Sequence, residues 1–187
     1  MPAWGWILIA IGAAVVVVAI AWYVLQEQAR KRTTGLREQF GREYDRVVGT
    51  SESKDDAEAE LARRQERREE LDIKPLPEAS RVRYQESWRE VQAEFVDDPR
   101  GAVGSADDLL QLVMRERGYP VEDFEQRAAD ISVDHPDVVE NYREGHRLAA
   151  ASKGNGTSTE DLRRAMRHYR ALFEELVEEE PSKERVS

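Results

Sequence analysis

The stretch Asp97 to Pro120, DDPRGAVGSADDLLQLVMRERGYP, decides the fold class. Asp98 is a good helix cap, and Pro99 suits the first helical position, where the missing N–H would have no partner anyway. Ala102, Val103, Ala106, Leu109, Leu110, Val113 and Met114 then recur at three- and four-residue steps, which puts them on one face of a helix. Gly118 and Pro120 end the run, glycine by accepting a left-handed turn and proline by being unable to continue the ladder.

The same grammar repeats on both sides. Upstream, Tyr84, Trp88, Val91 and Phe95 form a helical stripe that stops at Asp97-Asp98-Pro99. Downstream, a shorter helix carries Phe124, Ala128 and Ile131. Asp134-His135-Pro136 then restarts the chain into Val138, Val139, Tyr142, His146 and Ala149. Gly154-Asn155-Gly156 breaks that helix. Thr157 with Glu160, or Ser158 with Asp161, offers a capping box ahead of Leu162, Ala165, Met166, Tyr169, Phe173, Leu176 and Val177. No alternating run bounded by hairpin turns occurs, so the chain reads as all-α, with five helices after Pro77 in a small bundle.

Lys74-Pro75-Leu76-Pro77 is the best internal boundary, because each proline removes a donor and pushes its predecessor towards extended geometry. Before it, Ala57 to Leu71 alternates arginines (Arg63, Arg64, Arg67, Arg68) with glutamates, and its apolar content is little more than Leu61, Leu71 and alanines. That pattern predicts a solvated helical arm, or one side of a coiled coil. Gly49 to Asp56 reads as a polar link and a new helix start. Leu36, Phe40, Tyr44 and Val47 share one helix face, weakened locally by Gly35 and Gly41.

From Met1 to Leu25 there is no charged side chain, so every one of the 28 basic and 38 acidic residues falls later. The run Trp4 to Leu25 would span about 33 Å as a helix, which matches a hydrocarbon core of about 30 Å. Trp4 and Trp6 at one end, and Trp22 and Tyr23 at the other, suit the headgroup level. An uncleaved single-pass anchor is preferred to a cleaved signal peptide, which would want a basic start and a small-residue cleavage site. Arg30, Lys31, Arg32 and Arg37 follow the span and none precedes it, so the domain after it is expected in the cytoplasm. The expected organisation is an anchor over 1–25, a juxtamembrane helix and charged arm over 26–74, a soluble helical bundle over 75–180 and a frayed acidic tail over 181–187.

Phe95-Val96-Asp97-Asp98-Pro99 and Arg117-Gly118-Tyr119-Pro120-Val121, with the stretch Phe124 to Asp130 and the block Val133-Asp134-His135-Pro136, resemble a family of bacterial proteins. Its members, chiefly from high-GC organisms, carry an amino-terminal anchor and have no assigned activity. The resemblance covers most of the chain from Leu36 onward. It implies a bacterial origin and an anchored helical domain, and it transfers no catalytic residue.

The densest polar constellation is Asp130, Ser132, Asp134 and His135. An imidazole beside carboxylates suits a general base or a metal ligand. The competing reading makes Asp134 a cap for the helix beginning near Pro136 and His135 a turn residue. His146 and His168 complete three histidines, but no H-x-x-x-H, E-x-x-H or cysteine pair accompanies them, so no metal is expected. There is no cysteine, no Gly-x-Ser-x-Gly and no phosphate-cradling glycine loop, and hence no catalytic signature and no expected cofactor. A net charge of −10 disfavours nucleic acid. The sequence therefore points to a membrane-tethered helical interaction or adaptor protein with a protein partner. The alternative is an anchored enzyme or ligand-binding domain using Asp130, Asp134 and His135.

Overall fold

Among the described residues eight helices follow one another as α1 (Ala3–Phe40), α2 (Arg42–Thr50), α3 (Lys54–Glu70), α4 (Glu78–Asp97), α5 (Pro99–Arg117), α6 (Phe124–Asp134), α7 (Val139–Ala151) and α8 (Thr159–Glu178). No strand occurs among the described residues, and five helices follow Pro77 as predicted. The computed structural model describes residues 3–151 and 158–178, with side chains from Val16 onward except at Val17, Val18, Leu25 and Ala29. Trp4, Trp6, the Gly154-Asn155-Gly156 break, Thr157 and the acidic tail from residue 179 thus lie outside the described side chains.

The punctuation of the sequence becomes hydrogen bonds. The Asp98 carboxylate accepts from Gly101 N–H at 3.0 Å, with Pro99 in the first turn. Gly118 closes α5 at φ +101°, and the Asp72 carbonyl fills the space a Cβ would need there. Ser158 and Asp161 form the reciprocal capping box, Asp161 N–H donating to Ser158 Oγ at 3.1 Å and Ser158 N–H to Asp161 Oδ2 at 3.4 Å. Ser53 and Asp123 cap α3 and α6 in the same way, accepting from Asp56 and Gln126 N–H groups.

The stripes of α4, α5, α7 and α8 close into one core. Trp88 stacks on Phe173 with centroids 4.6 Å apart, and Tyr142 and Tyr169 are wholly buried beside Leu110, Met114 and Leu172. α7 and α8 approach closely because position 145 has no side chain: a Cβ at Gly145 would meet Tyr169 Cδ1 at 2.7 Å. The segment before α4 is strapped to this core through Leu76 and a Lys74 N–H bond to Arg117 O of 2.8 Å.

A second, smaller core joins Leu36 and Phe40 of α1, Tyr44 and Val47 of α2, and Ala57 and Leu61 of α3, with Val133 of α6 against them. Gly41, at φ +50°, makes the turn that lets α2 run back. Thr33 bonds Glu58 at 2.7 Å and Gln39 meets Gln65, so α3 lies alongside α1 in the same direction. The arm expected to be solvated is therefore packed on one face. The stripe of α1 and α2 needs a cover, and two small or branched side chains on α3 suffice to supply it. Among the described residues no helix is long and apolar enough to cross a membrane. The described side chains of α1 begin at Val16 and reach a charge at Glu27.

Gly145→Ala should lower stability by about 1–3 kcal/mol, since the methyl must push α7 off Tyr169. Gly104→Ala, on an exposed face of α5 with nothing within 4 Å of the added carbon, should raise it by about 0.4–1 kcal/mol. Paired denaturant melts of the two variants check both signs.

Candidate functional site

Asp130, Ser132 and Asp134 occupy the last turns of α6, and the side chains they meet come from the arm. Arg67 Nε donates to Asp130 Oδ1 at 3.0 Å, and Arg64 Nη1 to Ser132 Oγ at 3.3 Å. Arg68 Nε pairs with Asp134 Oδ2, which also accepts the Tyr119 hydroxyl at 2.6 Å. Asp130 is fully buried, takes a further bond from Gln126 at 2.8 Å, and leaves Oδ2 without a partner.

Asp134 does not cap the following helix. It is the last residue of α6, residues 136–138 form a turn, and α7 starts at Val139. His135, just ahead of that turn, is buried and carries Nδ1 to Glu175 Oε1 at 3.3 Å. Three of the four polar residues thus face arginines of α3, and His135 faces α8. The Ser132 hydroxyl donates to Ala129 O at 2.6 Å, so it is committed to backbone rather than to an imidazole. The other histidines lie elsewhere, His146 stacked on Phe124 at 3.7 Å and His168 with Nδ1 hydrogen-bonded to Asn141 Oδ1 at 2.9 Å. Burial pushes His168 below its ordinary value. Among the described residues no group of three potential ligands is placed to hold a metal.

The strongest electrostatic feature is one the sequence reading passed over. Glu43 on α2 is buried, with 1% of its side chain exposed, and meets three arginines. These are Arg46 on its own helix (3.0 Å), Arg64 on α3 (2.9 Å) and Arg143 on α7 (2.7 Å). Burial alone would push its carboxyl up. The bonds and charges of Arg46, Arg143 and Arg64 outweigh burial and hold it below the usual carboxylate range. A signal existed in the sequence. Glu43 interrupts the stripe Phe40, Tyr44, Val47, and Arg64 and Arg68 continue the α3 face of Ala57 and Leu61 at helical spacing.

A cleft of about 450 Å³ lies between α5 and α7 over Asp107, His146 and Tyr169. The Tyr169 phenol is held protonated by burial and by the neighbouring Asp107 carboxylate. Tyr142 is likewise raised by burial, and its oxygen accepts from Arg127 Nε at 2.9 Å. Such phenols are neutral core groups, and no nucleophile and base are aimed at each other here. No family model, characterised protein or solved structure matches the chain.

The seam formed by Glu43, Arg143 and the α3 arginines joins the two cores. Glu43→Gln, which keeps the shape and removes the charge, should cost about 3–5 kcal/mol by stranding buried arginines. Glu66→Gln, exposed on α3, should stay within about 0.5 kcal/mol. The unfolded state takes up the Glu43 proton at higher pH than the folded state. Its contribution is thus complete above the ordinary carboxylate range and is lost as pH falls below about 4. Acid titrations of stability should show this loss in the parent and a shallower slope in Glu43→Gln.

Proposed function

We propose that the chain is a membrane-tethered helical interaction protein, in which an apolar helix confines a charged helical bundle to one face of a bilayer. The observation that carries this is the continuity of α1. The uncharged run Trp4 to Leu25 belongs to the same helix that ends at Phe40, whose ring is wholly buried in the second core. Ile20, Trp22 and Tyr23 leave more than half of their surface exposed, as an apolar helix does when its covering medium is lipid.

Arg30, Lys31 and Arg32, directly after the run, favour a cytoplasmic bundle. Confinement raises the effective concentration of the bundle towards partners at the same surface, which is the gain of a tether without chemistry of its own. A protein partner fits a surface of mixed charge better than a nucleic acid does, given the net charge of −10. The rival reading, an anchored enzyme or ligand-binding domain at Asp130, Asp134 and His135, has less support, because arginines of α3 occupy two of its three members.

Expressed in a bacterium, the full chain should float with membranes after alkaline extraction, and deletion of residues 1–25 should release it. Protease added to intact spheroplasts should leave the bundle uncut until the membrane is permeabilised. Release of the full chain by alkali would sink the anchor, and digestion before permeabilisation would reverse the orientation.

A further inference from the structure

α4 and α5 pack side by side and leave an open groove of about 390 Å³ between them. Its lining follows the same spacing on both helices: i, i+3, i+4 and i+7 counted from Ser87 on α4 and from Ser105 on α5. Two matched rows of this kind, about two turns long, are the surface into which a third helix lays its side chains. The floor is apolar, with Val91 and Leu109 nearly buried and Leu112 47% exposed. The walls carry Glu90, Glu94 and Asp108, whose carboxylates make no hydrogen bond or ion pair among the described residues.

One turn beyond Leu112 the same helix pair spends its acid internally. Glu116 accepts from Tyr84 at 2.6 Å and from Arg83 at 2.9 Å. The groove carboxylates have no such partner, and α4 and α5 take no part in the seam with the arm, so docking of the arm leaves the groove open. Serines at the head of each row keep it wide enough for a backbone to approach.

We propose that this groove is a docking site for a basic amphipathic helix of a partner protein, with Lys or Arg at i and i+4 against Glu90, Glu94 and Asp108 and small apolar residues over Leu112. The charge of the walls chooses a basic occupant, and the double row of helical spacing chooses a helix over an extended peptide. The inference rests on reading the chain as an interaction protein and names the partner class for it.

The test uses the full chain in phosphatidylcholine nanodiscs. Its probe is a fluorescent helical peptide of about 18 residues with Lys at i, i+4 and i+7 and Ala or Leu between, followed by polarisation against empty discs. Saturable binding should weaken about tenfold or more in Glu90→Lys with Glu94→Lys, and severalfold in Leu112→Gln. Glu66→Lys with Glu69→Lys, the same charge change on exposed α3, should alter it less than about twofold. Circular dichroism checks that all variants stay helical. The groove is refuted if the α3 pair weakens binding as much as the groove pair, or if a scrambled peptide of equal composition binds as tightly. Either result leaves only attraction to the net charge. A chain that fails to enter the discs speaks against the anchor alone, and the same titration is then read in solution.

Discussion

Glu43 sits at the point where three helices would otherwise part. A carboxylate with 1% of its side chain exposed cannot keep its charge in a protein interior unless opposite charges and hydrogen bonds replace the water it has lost. Arg46, Arg64 and Arg143 supply that replacement from α2, α3 and α7, so the node exists only when all three helices are in place. Pairing of this type adds little compared with a well-packed apolar contact, but it is expensive to break from one side. Its main effect is on specificity, since only one docking of the arm onto the bundle satisfies the buried charge.

The rest of the boundary between the two cores is of the same kind. Among the described residues Val133 is the bundle's only buried side chain in the smaller core, and Arg67 with Asp130, Arg68 with Asp134 and Arg64 with Ser132 meet across the same boundary. An interface that is mostly ion pairs resembles a contact between domains more than the interior of one. Asp130 Oδ2, buried and unbonded, shows that the pairing is incomplete. The polar cluster that suggested chemistry in the sequence is therefore the acidic half of a joint, whose basic half lies more than sixty residues earlier.

Legibility of the sequence followed the range of the interactions. Asp98, Pro99, Gly118 and the Ser158–Asp161 pair act within one helical turn, so their roles can be read from neighbours in the chain. The same local logic misassigned Asp134. A carboxylate two residues ahead of a proline looks like a cap, and nothing nearby in sequence reveals that Arg68 and Tyr119 will claim it. The burial of His135 escaped notice for the same reason. The arm was misjudged because counting charges hides which of them share a face: Arg64 and Arg68 lie in line with Ala57 and Leu61, while Arg63 points to solvent. Of the α4–α5 groove, the sequence periodicity shows only Val91 in an apolar stripe on one helix and Leu109 on the next. Its acidic walls had no meaning until the two helices were paired.

The uninterrupted course of α1 also fixes an angle. An α-helix advances about 100° and about 1.5 Å per residue, and the second core grips α1 by the azimuth of Leu36 and Phe40. Whatever medium surrounds its apolar end, the rotational phase of that end is geared to the bundle through a stiff shaft. Loss of one residue between Leu25 and Leu36 would swing every bundle surface by more than a quarter turn. Gain of seven would return the surfaces to nearly the same bearing, about 10 Å farther away. The length of this helix is thus a setting of aim as well as of reach.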